Sequence, residues 1–255
     1  MTYALKPYGN LSCAPSYRAD LSEVSWTLAC DLTDDAGAAM VYRTESLTKE
    51  SCEDFAAAFA QGAGITFTDA YYYDDMTYFA NHSSGDTLSV DYRDSSYTYR
   101  LGTPLAVSEG SEAELRGLLA QLGIAVPEGA VFSQEDPGIF QFTADFLPVG
   151  DVIYGGELCC RVLDGLLVQM ENHLLALTPQ QVEPLLPKAE AYDRMTSGAF
   201  DGASAFASLQ PLEATVTACT ITYQSDTKGF YQPVYRFTVM QGEAPFAEVL
   251  IPALQ

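Results

Sequence analysis

The chain has 255 residues, 48% of them hydrophobic, which is enough to build one large domain or two of ordinary size and excludes a disordered chain. Its 34 acidic and 12 basic side chains give a formal charge of −22, which repels nucleic-acid phosphates and anionic lipid surfaces. We therefore expect no nucleic-acid partner. No apolar run reaches the roughly 18 residues that a membrane-spanning helix needs.

The first strand signal begins at Glu23, where apolar and polar residues alternate with the period of a half-buried strand. The residues predicted to share its buried face are Val24, Trp26, Leu28, Cys30 and Leu32. A turn at Asp34 to Gly37 then predicts that Ala38–Arg43 returns as the hairpin partner.

A helix is predicted over Lys49–Gln61, which is rich in Ala and Phe and is followed by Gly62 and Gly64. Four short strands follow it. Their predicted ranges are Ile65–Tyr72, Thr77–Asn81, Thr87–Tyr92 and Tyr97–Leu101. The pattern is that of one helix packed against an antiparallel meander.

A second helix begins at Ser111, where Ser111 and Glu114 have the spacing of a capping box, and it ends at Gly123. The strands predicted after it are Ile139–Leu147, Val152–Tyr154, Leu158–Leu163 and Leu166–Leu174. Between the last two, Asp164-Gly165 is a strong two-residue hairpin signal.

The last third starts with Thr178–Pro187, whose three prolines favour an extended or single-turn segment. A helix from Pro187 to about Ser197 then ends at Gly198. The final predicted strands are Leu212–Tyr223, Phe230–Met240 and an edge strand over Ala247–Ala253.

These elements predict an α+β fold with two lobes, each a curved antiparallel sheet with one or more covering helices. The periodicity is interrupted over Gly102–Gly110. We place the boundary there, giving a tyrosine-rich N-terminal lobe over 1–103 and a C-terminal lobe over 104–255.

No residue cluster has the composition of a familiar active site. The two histidines, His82 and His173, lie in neither a nucleophile-elbow nor a protease-like context, so we expect no catalytic residue. No glycine-rich phosphate loop is present, and we expect no cofactor. The acidic groups Asp31, Asp34 and Asp35, and Asp74 and Asp75, lack the calcium-loop pattern and are interpreted as turns.

The six cysteines form no Cys-x-x-Cys pair and have no histidine at metal-ligand spacing, so we expect no metal site. Cys30 and Cys160 fall on apolar faces and are predicted to be buried. Cys159 and Cys160 would point to opposite faces of one strand, which disfavours a bond between them. The even number permits disulfides, and their connectivity stays open.

Tyrosine is unusually frequent in the first lobe, above all at Tyr71, Tyr72 and Tyr73. In a strand, Tyr72 faces opposite to the other two, so at least one ring meets solvent, where tyrosine suits sugar stacking or protein contact. Cross-strand packing is the alternative. Gln232 and Pro233 are a second candidate partner-binding site, because proline suits an edge strand or a bulge.

Four segments near the C-terminus carry a resemblance to a known family. They are Ala189–Tyr192 continuing through Ser197–Phe200, Thr220–Tyr223, Tyr231–Phe237 and Ile251–Leu254. They resemble the closing portion of YycH/YycI-like extracytoplasmic regulatory proteins of Gram-positive bacteria, and Gly150–Asn172 is similar to their middle part. PepSY-type modules look similar in their order of helix and sheet.

The resemblance covers about the last 150 residues. It implies a lipoprotein or membrane-tethered domain outside the cell that binds or regulates another protein and has no catalytic residues. Any anchor or signal would precede Met1, since Met1–Gly9 lacks the basic start and apolar core of a secretion signal.

Three hypotheses follow. The first is a non-enzymatic cell-envelope module that binds a protein or peptide. The second is a carbohydrate-binding or glycan-active protein that uses the tyrosine-rich lobe and a carboxylate pair. The third is a cytoplasmic protein with an acidic surface.

Overall fold

The computed structural model describes residues 7–15, 17–33, 37–73, 76–209 and 211–255. Within these ranges the chain forms fourteen strands and four helices. In chain order they are β1 (Val24–Leu28), β2 (Ala38–Thr44), α1 (Lys49–Ala63), β3 (Asp69–Tyr72), β4 (Thr77–Asn81), β5 (Thr87–Asp91), β6 (Ser96–Ala106), α2 (Glu112–Gln121), β7 (Val131–Asp136), β8 (Ile139–Val149), β9 (Val152–Leu163), β10 (Leu166–Asn172), β11 (Leu175–Pro184), α3 (Lys188–Thr196), α4 (Ala203–Ser208), β12 (Leu212–Ser225), β13 (Phe230–Gln241) and β14 (Ala244–Pro252). The predicted turn residues Asp34, Asp35, Asp74 and Asp75 lie outside the described residues.

The predicted α+β class is confirmed: curved sheets are covered by a few helices. The chain divides into two compact units, a central unit of Thr44–Thr178 and a discontinuous unit of Met1–Arg43 with Pro179–Gln255. This division differs from the predicted boundary after residue 103, because β6 runs through that point as a continuous strand.

The central unit contains an antiparallel sheet in the order β7-β8-β9-β10-β6-β5-β4-β3. Its core holds residues of α1 and α2 together with the inward side chains of these strands. The rings of Phe55 and Phe59 on α1 pack against Tyr97 on β6, with centroids 5.6 and 5.5 Å apart. On α2, Leu115 and Leu119 are fully buried. Both predicted helices therefore cover one face of this sheet.

The discontinuous unit is built on β12, β13 and β14, which are antiparallel neighbours. The predicted hairpin of the first two strands is wrong: β1 pairs in parallel with β12, and β2 pairs with the start of β13. Hydrophobic alternation indicates which face of a strand is buried but does not select its partner. The strand β1 is also shorter than predicted, leaving Leu28 43% exposed and Cys30 half-buried.

Helices α3 and α4 contribute to the core of the discontinuous unit, where Ala191, Met195 and Phe206 are buried. The first of them agrees with the predicted helix after Pro187. The helix α4 and the strand β7 were not predicted, since neither is marked by a strong cap or a regular alternation.

The Asp164-Gly165 hairpin is confirmed between β9 and β10. Asp164 and Gly165 both have positive φ angles, 50° and 74°. Two successive residues of this kind are what a two-residue turn needs to match the twist of its flanking strands.

Position 102 of β6 requires glycine because the turn at Ser84 and Asp86 passes very close to its backbone. A Cβ atom at Gly102 would lie 2.3 Å from the Ser84 carbonyl oxygen and 2.5 Å from the Asp86 amide nitrogen. Both atoms belong to the backbone, so making room for a Cβ atom would distort the turn. This glycine therefore marks a close approach within a lobe rather than a linker between lobes.

We predict opposite effects for two Gly-to-Ala substitutions. Gly102→Ala is expected to lower the free energy of unfolding by about 1–3 kcal/mol, as overpacking at a tight site does. Gly117→Ala is its matched control, because Gly117 lies in α2 with no atom near the added Cβ. It is expected to raise the free energy by about 0.5–1 kcal/mol through helix propensity. Urea unfolding measures both, and equal effects would contradict the assignment of Gly102.

Candidate functional site

The three predicted tyrosines lie on or beside β3, the edge strand of the central sheet. Tyr72 points to the face covered by α1. Its hydroxyl donates to the Lys49 carbonyl oxygen at 2.6 Å, and its ring lies 5.1 Å from that of Tyr78. Burial, followed by the nearby charge of Glu53, raises the pKa of Tyr72. Tyr72 therefore anchors the strand to the start of the helix.

Tyr71 and Tyr73 point to the opposite, solvent-facing side and are 46% and 72% exposed. Both contact Phe79 of β4, with ring centroids 5.5 Å apart in a stacked pair and 5.9 Å apart in an edge contact. We call Tyr71, Tyr73 and Phe79 the outer aromatic cluster. The predicted alternation of the three tyrosines is thus present, with two rings on the solvent side.

The backbone of β3 has an open side. Tyr73 donates its amide to the Thr77 carbonyl at 2.9 Å. This bond shows which residues of β3 direct their N–H and C=O groups toward β4 in the antiparallel ladder. Residues two apart on a strand bond to the same side, so Tyr71 also bonds to β4. Ala70 and Tyr72 then direct their N–H and C=O groups away from β4, where β3 has no strand partner within the described residues.

A groove of about 560 Å³ lies between α1 and the segment leading into β3. Its apolar lining consists of four alanines, one isoleucine and two aromatic residues: Ala56, Ala57, Ala60, Ala70, Ile65, Phe67 and Tyr78. Two exposed carboxylates, Glu53 and Asp69, also line it. The groove was not predicted from the sequence. The Ala-rich run that predicted α1 was its only signal, and small residues alone do not distinguish a groove from close packing.

Gln232 and Pro233 do not lie on an exposed edge, so that part of the prediction is wrong. Both are buried in β13, where they pair with Gln224 and Tyr223 of β12. The side-chain nitrogen Nε2 of Gln232 donates to Asp226 Oδ2 at 2.7 Å and to the Gly9 carbonyl at 3.2 Å. The reason is long-range: the N-terminal segment, over 200 residues away in the chain, covers this point.

The proline at 233 is tolerated because the neighbour of β13 changes there. Tyr231 pairs with β2, whereas Val234 is the first residue paired with β14. The Pro233 carbonyl accepts from the Ala253 amide at 3.1 Å, while the Ala253 carbonyl accepts from the Leu186 amide at 2.7 Å. The missing N–H of Pro233 therefore leaves the Ala253 carbonyl paired, at the end of the ladder, where a sheet accepts proline.

His82 lies in a tight turn with Ser84 and Asp86. Its Nδ1 is 2.6 Å from Ser84 Oγ, while the Ser84 hydroxyl donates to Asp86. Tyr99 also donates to Asp86, at 2.5 Å. In a hydrolase triad the serine proton passes to histidine, and the acid bonds to the other ring nitrogen. Here the Ser84 hydroxyl donates its hydrogen bond to Asp86, so the cluster supports a structural role for Asp86.

His173 and the cysteines are the remaining groups that could act as nucleophile or base. His173 is exposed beyond the end of β10. All six cysteines are free thiols in the described residues, and burial raises the pKa of Cys13 to about 11 and that of Cys160 to about 12. Cys160 is buried as predicted, and Cys159 faces the other side of β9.

Among the described residues, no group of three or more His, Cys, Asp or Glu side chains is arranged to hold a metal ion. In the same residues, every helix is too short or too polar to cross a membrane.

No protein-family model matches the chain, and no curated protein matches it. Among solved structures, it is similar to an uncharacterized protein from Eubacterium rectale, with 12% sequence identity and a TM-score of 0.40. The alignment covers 91% of this chain and 85% of that chain. That level of similarity carries no inference about function, and the resemblance to YycH/YycI-like and PepSY-type proteins stays a prediction.

The Asp86 carboxylate gives a prediction with a defined pH dependence. Burial alone would raise the pKa of Asp86, but hydrogen bonds from Ser84, Tyr99 and the Gly102 amide outweigh it and lower the pKa. The stabilisation is therefore present above the unfolded pKa of about 3.9 and is lost as the pH falls through the folded pKa.

Asp86→Asn is expected to lower the free energy of unfolding by about 1–3 kcal/mol at pH 7, since a charge-assisted acceptor is lost. The difference from wild type should shrink as the pH falls below about 4. Urea unfolding at pH 7 and pH 3 measures it, with Asp54→Asn on the exposed face of α1 as the control. A difference that is the same at both pH values would contradict the prediction.

Proposed function

We propose that this chain is a non-enzymatic binding module of the cell envelope that acts through protein or peptide contacts. The observation that carries the proposal is the open side of β3, flanked by the exposed rings of Tyr71 and Tyr73. An extended segment of a partner can add a strand there, pairing with the backbone of Ala70 and Tyr72.

The energetics favour this use of the edge. Each new backbone hydrogen bond contributes about 0.5–1.5 kcal/mol, so the four outward groups of Ala70 and Tyr72 provide modest affinity. Exposed tyrosines add apolar area at low cost in side-chain entropy and are enriched at protein interfaces. Backbone pairing supplies affinity that is independent of sequence, and the rings supply selectivity.

A binding role without catalysis is supported by the surroundings of the reactive groups. The Ser84 hydroxyl beside His82 donates its hydrogen bond to Asp86, and burial raises the pKa of the Cys13 and Cys160 thiols. Neither arrangement activates a nucleophile. The proposed placement outside the cytoplasm rests on the resemblance to YycH/YycI-like proteins.

A second candidate function is carbohydrate binding, favoured by the 72% exposure of Tyr73 beside the half-exposed Tyr71. Sugars stack on such rings. A carbohydrate would use the outer aromatic cluster without the backbone of β3. The two functions therefore respond differently to a change in the β3 backbone.

The test uses a displayed library of random 12-residue peptides selected on the wild-type chain. Peptides should be enriched, and Ala70→Pro should weaken their binding roughly tenfold, because it removes one outward N–H and blocks the edge. Edge positions whose N–H faces solvent tolerate proline, so the fold should persist. Replacing both Tyr71 and Tyr73 by Ser should also weaken binding.

Tyr17→Ser is the matched control, since Tyr17 is 59% exposed but lies in the discontinuous unit. Circular dichroism confirms folding of each variant. Selected peptides that bind wild type and Ala70→Pro equally well would contradict strand addition. A glycan array that gives ligands dependent on Tyr71 and Tyr73 but not on Ala70 would favour the second candidate.

A further inference from the structure

We propose that the occupant of the β3 edge is an extended peptide in which apolar and basic side chains alternate. Its apolar side chains enter the groove beside α1, and its basic side chains lie over the outer aromatic cluster. This inference rests on the proposed function and names the chemistry of the partner.

Ala70 connects the open edge to the groove. It belongs to β3, its outward N–H and C=O are those that an added strand would use, and it also lines the groove. Its side chain is on the same face as Tyr72 and is paired with the fully buried Ala80. Directly opposed residues on paired strands have Cβ atoms about 4.5–5.5 Å apart, so a peptide side chain opposite Ala70 reaches the groove.

The groove follows the direction of β3. The amide of Ile65, just after α1, donates to Ala60 at 2.9 Å, and the chain then returns to Tyr72, whose hydroxyl meets the first turn of α1 at Lys49. Helix and strand therefore run side by side along the groove. Its volume of about 560 Å³ lies within the range of about 300–1,000 Å³ that is usual for ligand pockets.

Small residues on α1 leave room for aliphatic side chains. Ala57 is exposed at the groove, whereas Ala56 and Ala60 are buried beneath it. Burying a Val or Leu side chain there contributes about 1.5–3 kcal/mol, more than a hydrogen bond contributes. Apolar residues on the inner side of the peptide are thus the favoured choice.

Charge selects basic residues for the other side of the peptide. Two exposed carboxylates line the groove, Glu53 of α1 and Asp69 of β3. Asp69 also shares the outer face of β3 with Tyr71, because residues two apart on a strand point to the same side. The Lys49 ammonium lies on the inner side, 5.0 Å from the centre of the Tyr72 ring. The balance at the groove is negative, as it is for the whole chain at −22. Alternate side chains of an added strand point to the outer face, where lysine or arginine binds favourably over tyrosine rings.

The experiment uses a fluorescein-labelled nonapeptide of alternating valine and lysine, at 0.15 M salt, with binding measured by fluorescence anisotropy. Two comparison peptides replace all lysines by glutamate or all valines by serine. The valine–lysine peptide should bind at least tenfold more tightly than either, because each comparison removes one of the two contributions.

Two pairs of variants locate the peptide. Ala57→Met should fill the groove and weaken binding of the valine–lysine peptide about tenfold, whereas Ala58→Met, exposed on the same helix outside the groove, should leave it unchanged. Asp69→Lys, on the outer face beside Tyr71, should weaken binding more than Asp54→Lys, which makes the same change of charge at an exposed position away from the groove. Equal effects within both pairs would show attraction to the acidic surface alone and would overturn the inference.

Failure of this inference can be distinguished from failure of the proposed function. If peptides selected from the random library depend on Ala70 but bind Ala57→Met as well as wild type, strand addition stands and the groove has no role. If Ala70→Pro binds the valine–lysine peptide as well as wild type does, that peptide does not use the edge and this inference is wrong. If the library peptides also bind Ala70→Pro as well as wild type, the proposed function is wrong too.

Discussion

The alternation of backbone hydrogen bonds along β4 is the constraint on which the functional proposals depend. The His82 amide donates to the Asp86 carbonyl at 2.9 Å, and the Tyr92 amide donates to the Met76 carbonyl at 3.0 Å. Even-numbered residues of β4 and β5 therefore hydrogen-bond to one another. Odd-numbered residues are then left for β3, as the bond between Tyr73 and Thr77 shows. The N–H and C=O groups of Ala70 and Tyr72 consequently point away from the sheet.

Packing of α1 decides which face of this edge is buried and which is exposed. Phe59 on the helix contacts both Tyr97 and Tyr99, and Tyr72 is joined to the start of the same helix by its hydroxyl. Because side chains alternate along a strand, fixing Tyr72 inward also fixes Tyr71 and Tyr73 outward. One helix contact therefore positions both an apolar groove and an aromatic surface on opposite sides of a single open strand.

Local features of the fold could be predicted from the sequence because they depend on neighbouring residues. The start of α1 at Lys49, the turn at Asp164-Gly165 and the opposite orientation of Tyr72 relative to its neighbours all follow from caps, turn chemistry or alternation. These signals act over a few residues. They are therefore present in the sequence whatever the tertiary partners are.

The features that could not be predicted depend on residues far apart in the chain. Gln232 is buried because Gly9 and Asp226 satisfy its amide, and β1 pairs in parallel with β12 across nearly 190 positions. The open edge at Ala70 is of the same kind, because a strand becomes an edge only when every other strand has paired elsewhere. Gly102 was interpreted as a linker residue because its contact, the turn at Ser84, is invisible in the local pattern.

Amide hydrogen exchange of the free protein, resolved residue by residue, reports whether the outer side of β3 is unpaired. The amides of Ala70 and Tyr72 are expected to exchange much faster than those of Tyr71 and Tyr73, which bond to β4. Protection of Ala70 and Tyr72 equal to that of their two neighbours would mean that the outer side of β3 is already paired, and would refute the open edge.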